Sequence, residues 1–209
     1  MNLGHMLYEL QRRQGPAASL LKMALSGGAS MYALAMGIRE SVYDHKFLAS
    51  HRLPVPVVSV GNITTGGTGK TPACVWLVRK IGEWQSHFSP VLVSRGYGND
   101  ESLLLKRSLP EVEHFINSKR YLAGLEAIDR LGKEICLILD DGFQHRALQR
   151  DLDIVLIDAS NPFGFGHLLP RGFLREPLSH LRRADVVVLT RCDMAEERLL
   201  LETQKALRI

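Results

Sequence analysis

No two cysteines in this 209-residue sequence stand close enough to form a CxxC pair; Cys74, Cys136 and Cys192 are dispersed through apolar or helical contexts. That excludes a zinc ribbon or a thioredoxin-type redox centre, and the simplest account is three buried thiols in a reducing compartment. His5, His45, His51, His87, His114, His167 and His180 likewise show no metal-ligand spacing. The N-terminus lacks the charged start, short apolar core and small-residue cleavage site of a secretory signal, so the body of the chain is expected in the cytoplasm. Internal repeats and low-complexity tracts are missing. With 45% hydrophobic and 23% charged residues, neither a disordered nor a fibrous chain is read. The length suits one main domain with an appendage.

An unbroken membrane-spanning run is also lacking. Residues 17–38 carry one charge, Lys22, but are Ala-rich and interrupted by Ser26, Gly27, Gly28 and Ser30. Residues 1–52 hold six Lys or Arg (Arg12, Arg13, Lys22, Arg39, Lys46, Arg52) against three acids, which places most of the net charge of +4 beside this apolar stretch. Such a pairing suits a helix lying in the headgroup layer of an anionic leaflet. An amphipathic helix packed on the domain or on another chain is the alternative. Basic character alone favours anionic partners and does not choose among nucleotide, phospholipid and nucleic acid.

From Val55 onward the texture changes to short, continuously apolar runs: Val55–Val60, Val91–Ser94, Ile135–Leu139, Ile154–Ile157 and Val186–Leu189. Runs without alternation predict strands covered on both faces. Leu122, Leu125, Ile128 and Leu131 recur at helical spacing, with Asn117 or Ser118 as the capping candidate and Gly132 just past the end. Ala195–Leu207 predicts a last helix. The fold class is therefore α/β, a P-loop NTPase-like mostly parallel sheet flanked by helices, with ligands beyond the carboxyl ends of the strands. Residues 1–52 form the N-terminal amphipathic segment and residues 53–209 the nucleotide-binding domain.

The first strand runs into Thr64-Thr65-Gly66-Gly67-Thr68-Gly69-Lys70-Thr71-Pro72. Thr65 to Thr71 reads as a phosphate loop: glycines turn backbone N–H groups toward phosphate oxygens, Lys70 neutralises the β and γ phosphates of ATP, and Thr71 ligates Mg²⁺. It is a variant, because the strict pattern wants Gly where Thr64 stands. Pro72 falls in the first helical turn, where a missing N–H costs little. A second motif, Ile135 to Asp141, is an apolar strand ending in two acids. Asp140 and Asp141 are thus metal candidates opposite the Thr71 hydroxyl.

The continuation DDGFQH, Asp140 to His145, is more restrictive. Together with Gly66 to Pro72, Ser94-Arg95-Gly96-Tyr97-Gly98, Asp100-Glu101, and Leu169-Pro170 through Leu174-Arg175-Glu176-Pro177, it resembles the tetraacyldisaccharide 4'-kinase family from about Leu25 to Asp193. The resemblance implies transfer of the ATP γ-phosphate to the 4'-hydroxyl of a tetraacylated glucosamine disaccharide 1-phosphate. It places the chain as a peripheral protein at the cytoplasmic face of the bacterial inner membrane, with a glycolipid substrate and no nucleic-acid partner. Carried over by position, Lys70, Asp140 and Asp141 join Asp100 as catalytic residues, with Asp100 accepting the hydroxyl proton. Glu101, His145, Arg171 and Arg175 are candidate substrate contacts. Two departures stand out: the segment that separates the SRGYG and DE motifs in the family is shortened here to the Gly98–Asn99 junction, and the chain ends at Ile209 without the family's C-terminal domain and its PDHH-type motif. A truncated product or a fragment is expected. Two competing readings are a P-loop GTPase or ATPase switch and a non-catalytic remnant that still folds. Thr190-Arg191-Cys192-Asp193 resembles the guanine-reading TKxD element, with Arg191 in place of Lys.

Overall fold

The apolar runs assemble into one sheet. Strands β1 (Val57–Asn62), β2 (Ser89–Ser94), β3 (His114–Ile116), β4 (Ile135–Asp140), β5 (Leu152–Asp158) and β6 (Val186–Thr190) lie in the order β3-β2-β4-β1-β5-β6, and every pairing is parallel. The computed structural model describes residues 8–10, 14–84, 87–96 and 99–207, without the side chains of 99–102. Helices α1 (Pro16–Asp44), α2 (Lys70–Trp84), α3 (Asn99–Ser108), α4 (Arg120–Leu131) and α5 (Glu197–Leu207) accompany the sheet, with short 3-10 turns at Gly164–Gly166, Leu178–Arg183 and Cys192–Met194.

Both faces of the central strands are covered, as their unbroken apolar sequence requires. Val57, Val91 and Leu137 pack with Leu53 and with Ala123 and Ala127 of α4 on one face. Val60, Leu92 and Ile138 pack with Cys74, Leu77 and Val78 of α2 and Leu105 of α3 on the other. The parallel arrangement sends the loops after β1, β4, β5 and β6 to a common edge, where ligands of such sheets bind.

Local chemistry moves several boundaries. β1 begins at Val57 because Pro54 and Pro56 have no N–H for the ladder; Pro56 contributes only its carbonyl, which accepts from Leu137 N–H at 2.9 Å. β3, three residues long, is too short for an apolar pattern to announce. The start of α4 differs from expectation: its N-cap is Lys119, without a side-chain cap, while Asn117 Oδ1, two residues earlier, accepts the Lys119 N–H at 2.9 Å. Gly132 ends that helix with φ of 82°, as its position suggested. Cys192 is exposed rather than buried, in a short turn after β6.

Helix α1 runs without a break through Ser26, Gly27, Gly28 and Ser30. The hydroxyls of Ser26 and Ser30 bond back to the Lys22 and Ser26 carbonyls at 2.7 and 3.0 Å, so they are satisfied inside the helix. Gly28 faces Pro170, whose Cγ would lie 3.2 Å from an added Cβ. Among the described residues no helix is long and apolar enough to cross a membrane.

Gly61 marks the tightest approach between β1 and the turn after β4. A Cβ there would sit 2.6 Å from Phe143 Cβ and 2.9 Å from its backbone N. Gly61→Ala should therefore lower the stability measured by urea denaturation by about 3 kcal/mol. Gly82→Ala, with open space around it in α2, should leave stability unchanged or raise it by up to ~1 kcal/mol.

Candidate active site

The loop after β1 is held from two sides. Thr65 N–H donates to Phe173 O and Arg175 N–H donates to Ile63 O, both at 2.7 Å, which fastens the 173–175 segment to the start of the loop. On the other side Thr190 Oγ1 donates to Thr68 O at 3.0 Å. Gly66 and Gly69 take φ values of 120° and 84°, which side-chain-bearing residues rarely adopt. Lys70 and Thr71 then open α2. Thr68 is buried, and its hydroxyl has no hydrogen-bond partner among the described residues.

Strand β4 delivers the two acids beside this loop. Asp140 is buried, with Cys74 Sγ donating to its Oδ1 at 3.8 Å. Burial, followed by the Asp140 charge, pushes the Cys74 thiol well above its ordinary range, so the sulfur stays protonated and remains a donor. Asp141 follows with φ of 53°, a left-handed conformation uncommon outside glycine. Its two oxygens accept from Arg175 Nη1 at 2.8 Å and Nη2 at 3.0 Å, and Lys70 Nζ lies 3.9 Å away. Burial opposes ionisation of Asp141. The Arg175 bonds and charge, with Lys70 and Arg120, outweigh it and hold the carboxyl below the ordinary range.

A cavity of about 300 Å³ opens against Asp141, lined by Arg39, Arg95, Arg120, Arg175, Gln144 and His145. Four guanidinium groups thus surround one space with a single lining carboxylate. Arg120 Nε and His145 Nε2 are buried without hydrogen-bond partners among the described residues. Burial, reinforced by Arg120, Arg150, Arg39 and Arg95, lowers the His145 pKa to about 4, so the ring is neutral at pH 7. Positively charged walls with unmet donors fit an anion such as phosphate.

Of the candidates read from sequence, Lys70, Asp140, Asp141, His145 and Arg175 come together here. Arg171 does not: it bonds Ser26 of α1 and lines a separate cavity of about 530 Å³ between α1 and residues 166–178. Asp100 and Glu101 fall in the first turn of α3, with side chains outside the described residues, as are Tyr97 and Gly98 entirely. Reading the sequence missed Arg39, Arg95, Arg120, Gln144 and Cys74. Arg95 and Gln144 stand inside the SRGYG and DDGFQH motifs, whereas Arg39, Arg120 and Cys74 carry no local signal.

A family model described as tetraacyldisaccharide-1-P 4'-kinase matches residues 21–100 and 99–209. The chain belongs to that family. Curated relatives named tetraacyldisaccharide 4'-kinase include one from Anaeromyxobacter sp. (strain Fw109-5), 39% identical over 94% of this chain and 58% of that protein. Another, from Syntrophus aciditrophicus, is 41% identical over 86% and 53%. A probable mitochondrial tetraacyldisaccharide 4'-kinase of Arabidopsis thaliana is 36% identical over 88% and 53%. The crystal structure of the "apo" form of LpxK from Aquifex aeolicus in complex with ATP superimposes with a TM-score of 0.76 at 36% identity, over 83% of this chain and 60% of that one. The chain spans little more than half the length of the relatives it matches.

In this family member α1 is tied directly to the site. Tyr32 Oη donates to the Arg175 carbonyl at 2.8 Å, and Arg39 Nη2 to the Gln144 carbonyl at 2.5 Å. The one buried residue of α1 is an acid, Glu40. It faces Arg146 at 2.9 Å, Arg182 at 3.2 Å and Arg183 at 3.4 Å. Glu176, next to Arg175, joins the same network through Arg183 and through His180 Nδ1 at 3.0 Å. Leu20, Leu21, Met23, Met31, Leu34 and Ile38 are left exposed.

Removing Glu40 takes the shared carboxylate from the largely buried Arg146 and Arg183, which keep Asp44 and Glu176, and from the exposed Arg182, and so loosens the docking of α1. In Glu40→Ala, amide exchange across residues 16–44 should accelerate more than tenfold, with β1 and β4 still protected. The His145 shift fixes a second expectation. Between about pH 6.5 and 4 the unfolded chain binds the His145 proton and the folded protein does not, so stability falls as pH drops through that window. His145→Gln should reduce the slope of the urea midpoint against pH between pH 6.5 and 5.

Proposed function

We propose that this chain binds ATP and Mg²⁺ along the Gly66–Thr71 loop and is the nucleotide half of a kinase that phosphorylates the 4'-hydroxyl of tetraacyldisaccharide 1-phosphate. The observation that carries this reading is the position of Asp141, shared between Lys70 of the phosphate loop and Arg175 of the arginine-lined cavity. Donor and acceptor phosphate chemistry meet at that carboxylate. The relatives' names and the ATP bound by the Aquifex aeolicus protein point the same way.

The residues present fit the nucleotide and its metal. The loop offers the orphaned Thr68 hydroxyl and the Lys70 ammonium to phosphate oxygens, while Thr71, Asp140 and Asp141 supply the hard oxygens that Mg²⁺ takes. The metal, when bound, neutralises charge on the β and γ phosphates. Cys74 positions Asp140, and Arg175 positions Asp141. The acceptor oxygen forms a bond to the γ phosphorus as the bond to the β,γ-bridging oxygen breaks; ADP leaves, and Asp100 takes the hydroxyl proton. Arg39, Arg95 and Arg120 line the space beside Asp141 and would stabilise the charge spread over the γ-phosphoryl group as it is transferred. His145 stays neutral and donates or accepts a hydrogen bond there. Arg171 and Glu101 belong to the acceptor's surroundings.

Helix α1, with residues 1–52, serves as the membrane-facing segment, distinct from the nucleotide-binding domain of residues 53–209. Charge fastens α1 inward, and its exposed Leu, Met and Ile side chains suit the headgroup layer of an anionic leaflet, as for a peripheral protein at the cytoplasmic face of the bacterial inner membrane. The groove between α1 and residues 166–178, lined by Ala29, Ala33, Leu168 and Leu174, suits an acyl chain. Nucleic acid is not among the partners.

Incubation of the full chain with ATP, Mg²⁺ and tetraacyldisaccharide 1-phosphate should yield the bisphosphorylated product. Lys70→Ala should lower the rate about 10³-fold and Asp100→Asn about 10²-fold. A well-folded chain that makes no product overturns the kinase reading and leaves family membership intact.

A further inference from the structure

Asn62 is the last residue of β1 and is fully buried. It reaches three separate segments. Its Nδ2 donates to the Thr64 carbonyl at 2.8 Å, at the root of the phosphate loop, and its Oδ1 accepts from Arg175 Nη1 at 3.1 Å. Its backbone carbonyl accepts from Gln144 Nε2 at 2.8 Å, in the turn after β4. The amide can face only one way, because a guanidinium offers donors alone and the Thr64 carbonyl only accepts. Nor can the strand end drift, since Gly61 beside it lies so close to Phe143 that an added Cβ would come within 2.6 Å of the Phe143 Cβ.

Arg175 Nη1 is shared between Asn62 and Asp141. It donates to Asp141 Oδ1 at 2.8 Å as well as to Asn62, while Nη2 donates to Asp141 Oδ2 at 3.0 Å. Two parallel bonds fix the guanidinium to the carboxylate but leave the pair as a unit able to shift. The bond from Asn62 ties that unit to β1. Asp141 Oδ1, the oxygen bonded to Nη1, is also the one that lies 3.9 Å from Lys70 Nζ. The position calls for a neutral group with both a donor and an acceptor. A carboxylate there would compete with Asp141 for Arg175, and an aliphatic side chain would take a partner from both Nη1 and the Thr64 carbonyl.

We propose that Asn62 is a positioning residue that, through Arg175, holds Asp141 in register with Lys70 for the ATP and Mg²⁺ bound at the loop. The proposal rests on the ATP and Mg²⁺ reading above and is tested by binding, without turnover. Isothermal titration with ATP and Mg²⁺ is carried out on the full chain as wild type, Asn62→Ala, Arg175→Ala and the double variant. Asn62→Ala should weaken binding about tenfold, the loss that follows removal of a hydrogen bond to a charged group, and Arg175→Ala should weaken it at least as much. Because Asn62 acts through Arg175, adding Asn62→Ala to Arg175→Ala should change affinity by less than about twofold. A residue that served only the fold or the loop root would cost the same factor in both backgrounds. That additive result overturns the proposal, as does unchanged affinity in Asn62→Ala. Thermal melting checks that each variant folds, and Asn62→Ser replaces Asn62→Ala in the same comparison where the alanine variant does not. Wild-type protein that binds ATP but gives additive losses removes the proposal alone, whereas wild-type protein that binds no ATP removes the nucleotide reading as well.

Discussion

The carboxylate of Asp141 is the point on which the described site converges. It sits in a backbone conformation that few residues other than glycine accept, at the end of a fully buried strand. Burial alone would drive it to neutrality, so its ionised form depends on cations supplied by remote segments. Arg175 supplies two bonds, and Arg175 is itself fixed by its N–H on Ile63, by Asn62 Oδ1 at 3.1 Å and by Tyr32 on its carbonyl. Lys70 approaches from the phosphate loop. Burial would likewise lower the Arg175 pKa, but its bonds to Asp141 outweigh that effect. The pairing thus favours the charged form of both groups.

The same reasoning explains why α1 is docked by charge instead of by an apolar stripe. Here the one fully buried residue is Glu40 with its arginines; Leu25 and Met36 are only half-buried, and Leu20, Leu21, Met23, Met31, Leu34 and Ile38 are exposed. Buried ion pairs add little net stability compared with apolar packing, but removing one partner is costly, so they fix geometry more than they strengthen the fold. Tyr32 and Arg39 lie on the same helix as Glu40. Whatever orients α1 therefore also orients Arg175 and one wall of the arginine cavity.

Much of this was legible in the sequence because parallel strands must be apolar on both faces. The runs at Val55, Val91, Ile135 and Ile154 identified their strands for that reason, and the loop from Gly66 to Thr71 followed the first of them as phosphate loops do; the Val186 run is an edge strand whose Val186 and Val188 stay exposed, so the expected cover on both faces does not hold there. What stayed hidden depends on tertiary contact. The approach of Pro170 to Gly28 of α1 is one such contact. Arg39, Arg95, Arg120 and Arg175 are scattered over nearly 140 positions, and only the sheet order and the docking of α1 bring them to one cavity. Cys74 appears in sequence as an ordinary apolar helix residue; its bond to Asp140 becomes evident only when α2 lies over β4.

His145 reports on the field inside that cavity. Burial lowers its pKa first, but the next contributions come from arginines, three of which line the same space. A ring held neutral down to about pH 4 therefore reflects burial first and, beyond it, positive charge that Asp141 alone does not cancel. An anion entering the cavity would lower that potential, making protonation of His145 easier and placing the unmet donor of Arg120 on a partner. By linkage, protonation of His145 must strengthen anion binding by the same factor. The positive field that would hold a phosphate group thus adds to burial in keeping the histidine neutral.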